Sequence, residues 1–131
     1  MNEKDLKIRT KNFALAVIKF VGVLPYSIVN RNLGDQLLRS STSVSANYRA
    51  ACRGRSKAEF IAKLGICEEE ADEALHWLEL FIESGIADTE AIQQLKKEAN
   101  ELTSIFAASI KTSRANLQSK IILPKSKIQQ A

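Results

Sequence analysis

A chain of 131 residues, 45% of them hydrophobic, is long enough to build one domain around a substantial core, and five glycines with two prolines are few for a turn-rich β protein. The net charge of +4 conceals an asymmetry: residues 1–57 carry a net +8, residues 58–117 a net −7, and residues 118–131 add three lysines. The composition excludes a disulfide-framed miniprotein and leaves two readings of the charge, a basic face for a polyanion or two halves of one fold that neutralise each other.

The first predicted helix runs from Lys4 to Val23, where Leu6, Phe13, Val17, Phe20 and Leu24 recur at helical spacing before Pro25. A second apolar row, Ala14, Ile18 and Val21, lies beside the first and points either to a contact between subunits or to a helix deep in its own core. The apolar run Phe13 to Leu24 follows Glu3 and Asp5, is interrupted by Lys19, and is too short to span a bilayer. Cytoplasmic residence, with no membrane partner, is the expectation.

The second helix is predicted from Ile28–Asn30 to Cys52, with Leu33, Leu37, Val44 and Ala51 on its core side. Its middle holds Ser40, Ser41, Thr42, Ser43 and Ser45, residues of poor helix propensity whose small size permits close approach of a neighbouring helix, the preferred reading over a phosphate-binding hydroxyl patch. Gly54 is expected to supply a left-handed residue closing this helix, and Ser56 with Glu59 forms a capping box that opens the next. So short a connection predicts that the second and third helices are antiparallel neighbours.

The third helix, Lys57 to Ser84, carries the stripe Phe60, Leu64, Cys67, Ala71, Leu75, Leu78 and Ile82 and ends at Gly85. The fourth, capped by Asp88 or Thr89, carries Ile92, Leu95, Ala99, Leu102, Phe106, Ser109 and Leu117. The predicted fold is therefore all-α, an antiparallel up-down-up-down four-helix bundle over residues 1–117, followed by a flexible basic C-terminal tail over residues 118–131.

Catalytic chemistry finds little support. A single Glu73-x-x-His76 is one copy of a motif that bundle metal sites need twice, and one histidine leaves the serines and cysteines without a nearby base. Cys52 and Cys67 are expected as free thiols. The carboxylates Glu68, Glu69, Glu70, Asp72 and Glu73 point in different directions around a helix, so a solvated or arginine-paired face is expected rather than a cation site. No enzyme, cofactor or metal is expected. The candidate nucleic-acid-binding residues are Arg39, Arg49, Arg53, Arg55 and Lys57, with Lys4, Lys7, Arg9 and Lys11 on the first helix. Arg39 and Arg49 have possible internal partners in the acidic third helix; Arg53, Arg55 and Lys57 have fewer. No aromatic ladder accompanies these cations, so binding would be electrostatic and weakly sequence-specific.

The motifs Gln36-Leu37-x-Arg39-Ser40, Ser43-Val44-x-x-Asn47, Glu59-Phe60-Ile61 and Glu73-x-x-x-Trp77-Leu78 resemble those of a four-helix bundle family. The family includes proteins encoded by 23S rRNA intervening sequences and the accessory variability determinant of diversity-generating retroelements. The resemblance covers roughly residues 9–115. Many relatives place an acidic residue and a glycine soon after the asparagine; here Tyr48-Arg49-Ala50-Ala51 makes that surface more basic. The resemblance implies a bacterial protein assembled as a homopentameric ring, and its retroelement members bind nucleic acid and a reverse transcriptase. The expected function is a non-enzymatic oligomer binding RNA or DNA. The alternative is a protein-interaction scaffold whose charges neutralise internally.

Overall fold

The computed structural model describes the backbone of residues 1–130 and the side chains of residues 1–120. Over that range it holds four α-helices and no strand: α1 Glu3–Gly22, α2 Ile28–Cys52, α3 Lys57–Glu83 and α4 Glu90–Gln130. Consecutive helices pack on one another and α1 also meets α4, so the four enclose one bundle-like core.

Each helix starts where a side chain accepts an N–H that has no carbonyl partner within the helix. Asn2 accepts from the Asp5 N–H at 2.8 Å, Ser27 from Asn30 at 2.9 Å, Ser56 from Glu59 at 3.1 Å and Thr89 from Ile92 at 3.3 Å. Thr89 rather than Asp88 thus caps α4, while Asp88 accepts from the Gln93 side-chain amide at 2.6 Å. Glu59 reaches back to the Arg55 N–H at 3.2 Å, one residue upstream of the donor that a capping box predicts.

Gly54 is not left-handed, contrary to expectation. Helix α2 closes instead through Arg53, at φ −100°, whose N–H bonds back to Ala50, and the Gly54 N–H bonds to the Ala51 carbonyl at 3.0 Å. Glycine serves there by its size, since a Cβ would stand 3.1 Å from that same carbonyl and 3.6 Å from the Phe60 nitrogen. The left-handed glycine is Gly85, at φ 81°, and it ends α3 as the sequence predicts.

In α3 the core follows a stricter seven-residue repeat than the predicted stripe, whereas in α4 it departs from that repeat after Phe106. In α3 the buried positions are Leu64, Cys67, Ala71, Ala74, Leu78 and Phe81, with Phe60, Leu75 and Ile82 at the margin. In α4 the stripe Ile92, Leu95, Ala99, Leu102 and Phe106 continues to Ile110 and Ser113 rather than through Ser109. Tyr48 joins Leu37, Val44 and Ala51 on the buried side of α2 and meets Phe106 at 5.9 Å between ring centroids. Phe20 meets Phe81 edge-on at 5.5 Å, which ties the C-terminal half of α1 to α3.

Helix α4 runs to Gln130 instead of stopping near Leu117. The loss of its apolar stripe does not end it, because propagation of an existing helix needs only one further hydrogen bond per residue, and the helix continues through Pro124, which gives up one N–H donor. The expected flexibility of residues 118–131 falls, from residue 121 onward, on side chains outside the described residues.

Candidate nucleic-acid interface

The register between helices divides the cations into paired and unpaired sets. Arg9 on α1 donates to Glu98 at 2.6 and 2.8 Å and to Glu101 at 3.1 Å, both on α4. Hydrogen bonding to Glu98 holds its pKa above the ordinary arginine value against the opposing effect of burial. Arg39 on α2 donates to Glu70 at 3.2 Å and to Glu73, and its pKa is raised chiefly by the Glu73 hydrogen bond. The same contact lowers the Glu73 carboxyl below its usual range, and the Trp77 indole adds a bond to that carboxylate at 3.4 Å. Arg39 is thus committed to the acidic face of α3.

Arg49, Arg53 and Arg55 are exposed and make no ion pair among the described residues. Lys57 is half-buried, with its ammonium 5.6 Å from the centroid of the Phe60 ring. Of the five cations expected together, the structure gathers Arg49 and Arg53 into one groove with Lys7, Ile8, Lys11 and Ser45. This groove, between α1 and α2, encloses about 430 Å³. Arg55 and Lys57 do not line it, and Arg39 lies ten residues before Arg49, about 15 Å along α2.

Lys7 and Lys11 stand in the sequence only as part of the basic set on the first helix; the structure adds that they share a groove with Arg49 and Arg53 while Arg9 pairs with α4. The available signal was their i, i+4 spacing on α1, which repeats that of Arg49 and Arg53 on α2; what was missing was the register that sets the two pairs side by side.

The hydroxyl cluster of α2 separates into two roles. Ser40 and Ser41 are fully buried, and their hydroxyls donate to carbonyls of their own helix: Ser40 to Gln36 at 3.0 Å and Leu37 at 3.2 Å, Ser41 to Leu38 at 3.3 Å. Small size is therefore their contribution, as it is for buried Gly34, where a Cβ would stand 3.1 Å from the Val21 side chain of α1. Ser45, half-buried, lines the basic groove instead.

Both cysteines are free. Cys67 is fully buried, its thiol donating to the Val44 carbonyl at 3.8 Å, and burial pushes its pKa up to about 12. His76 is exposed and sits edge-on to Trp77, with ring centroids 5.1 Å apart. Among the described residues no group of three or more His, Cys, Asp or Glu side chains is placed to hold a metal ion, and no helix is long and apolar enough to cross a membrane.

Residues 4–108 match the family model for the 23S rRNA-intervening sequence protein. The chain belongs to that family. A solved structure supports the assignment: a protein with unknown function from the S23 ribosomal protein family of Bacteroides thetaiotaomicron VPI-5482 is 31% identical, with a TM-score of 0.74. The similarity covers 85% of this chain and 99% of the other. No curated protein matches. The matched span of the intervening-sequence family contains the whole basic groove and both sets of ion pairs, so the groove belongs to the family domain and not to an appended segment.

Proposed function

We propose that this member of the 23S rRNA-intervening sequence protein family is a non-enzymatic, cytoplasmic homo-oligomer that binds RNA or other nucleic acid through the basic surface near the α2–α3 turn. The observation that carries this reading is the exposure of Arg49, Arg53 and Arg55 with no ion pair among the described residues, while Arg9 and Arg39 are satisfied by α4 and α3. Unpaired cations on rigid helices are what phosphate contacts require.

The bundle is read as antiparallel, up-down-up-down. Support comes from the contacts of α2 with α3, where Arg39 meets Glu73 and the later Val44 meets the earlier Cys67. A homopentameric ring is supported by family resemblance and by the exposed apolar residues Ile8, Leu15 and Ile18 on α1. Five copies at +4 would carry about +20, enough to concentrate a polyanion at low salt. Filter binding of structured RNA across a salt series tests the reading: the triple variant R53A/R55A/K57A should bind more weakly, and absence of binding by the native protein at low ionic strength would refute it.

The internal ion pairs favour a second reading, a scaffold for a protein partner such as a reverse transcriptase, with charges neutralised inside each subunit. Under it, the native protein binds no nucleic acid at any salt concentration.

A further inference from the structure

We infer that the groove between α1 and α2, with Lys7 and Lys11 on one wall and Arg49 and Arg53 on the other, is the seat of phosphate binding on this surface. Its ligand is the phosphodiester backbone of one nucleic-acid strand. This deepens the nucleic-acid reading above, on which it rests, and moves the centre of the interface from the turn to the groove.

Four of the six residues lining the groove are cationic and none is a carboxylate. Glu3, one turn before Lys7, does not line it. Like charges at i, i+4 repel by a few tenths of a kcal/mol, so two such pairs facing each other across one cleft are best relieved by an anion between them.

The spacing suits a polymer. Within each pair the cations stand about 6 Å apart along the helix axis. That is the order of the separation between consecutive phosphates of one strand, so each pair spans two phosphates. Ser45 adds a hydroxyl donor, and Ile8 the one apolar side chain. No aromatic ring lines the cleft to stack a base, and the nearest aromatic residue of α2, Tyr48, is buried. A mononucleotide would find nothing for its base, whereas a strand would lay its backbone along the cleft and leave its bases in solvent. The groove therefore reads charge and spacing, not sequence.

Fluorescence anisotropy of the full-length protein with a labelled oligouridylate of about 20 nucleotides, between about 50 and 200 mM salt, tests the assignment. The variants are K7Q/K11Q, R49Q/R53Q and R55Q/K57Q, with helical circular dichroism and native mass as controls. Because the groove pairs sit on different helices, each wall is tested independently. Each groove variant should bind about tenfold more weakly and lower the slope of log affinity against log salt by about 1.4, the value for two released phosphates. The turn variant R55Q/K57Q should lose less than either. Unlabelled inorganic polyphosphate should displace the strand, and its failure to do so would overturn a site that reads charge and spacing. Retention of affinity and salt slope by both groove variants, with loss in R55Q/K57Q, would overturn this inference and leave the nucleic-acid reading standing. Absence of binding by the native protein at low salt would overturn both.

Discussion

Replacement of Ser40 tests whether the hydroxyl-rich segment of α2 exists for close helix packing or for phosphate contact. Ser40 is fully buried, and its hydroxyl bonds only to the Gln36 and Leu37 carbonyls of its own helix. Ser40→Leu adds two heavy atoms in a position with no exposure, and overpacking of this kind costs about 1–3 kcal/mol. Ser40→Ala removes a hydroxyl from carbonyls that already sit within a helix and gains helix propensity, so its effect should stay within about 0.5 kcal/mol. With an unfolding entropy of about 2.1 cal/mol/K per residue over 131 residues, 1 kcal/mol corresponds to a shift of about 4 °C. Thermal melts at fixed protein concentration should place S40L about 4–11 °C below the native protein and S40A within about 2 °C of it. Nucleic-acid affinity of S40A should be unchanged. An S40L variant that melts with the native protein, or an S40A variant that loses nucleic-acid binding, would refute the packing role.

Gly85→Ala places a side chain on a backbone at φ 81°, and although the space around that site is open, the left-handed conformation should cost about 1–2 kcal/mol, read as a lowered denaturation midpoint. Cys67 predicts an alkaline weakness. Its folded pKa, pushed up to about 12 from 9.0, means that above pH 9 the unfolded chain releases a proton the folded chain retains, so stability falls as pH rises through that window. The slope from this group approaches about 1.4 kcal/mol per pH unit. Urea melts of the native protein and C67A at successive pH values check it, and parallel losses in the two proteins would contradict the assignment.

The helices were legible because their signals are local: Ser56 and Gly85 act within a few residues of the ends they define. The errors arose where position depends on a partner. Leu75 and Ile82 are better hydrophobes than Ala74, yet the seam of α3 follows Ala74 and Phe81, because the facing helices set which side of a broad apolar face is closed. Gly54 reads as a left-handed cap from sequence, but the chain needs only its small size where the carbonyl of Ala51 approaches. Arg9 pairs with residues 89 and 92 positions later, a separation with no local signature. The basic groove was half legible for the same reason: each cation pair has a readable spacing, and only the alignment of α1 with α2 makes four cations one site.

The two readings of the charge asymmetry are compatible, because the internal pairs and the groove occupy different stretches of α2. Arg39 is 52% exposed, so its pairing with Glu70 and Glu73 contributes little to stability, within about 0–1 kcal/mol. Its larger effect is electrostatic. It occupies two carboxylates of the acidic α3 segment that would otherwise add unneutralised negative potential to the surface. The separation of about 15 Å along α2 between Arg39 and Arg49 exceeds the screening length of about 8 Å at physiological salt, so the remaining acidity near Glu73 reaches the groove only weakly. Neutralisation in the middle of the bundle thus leaves the potential at Lys7, Lys11, Arg49 and Arg53 largely uncancelled, and a chain with a modest net charge keeps one strongly cationic cleft.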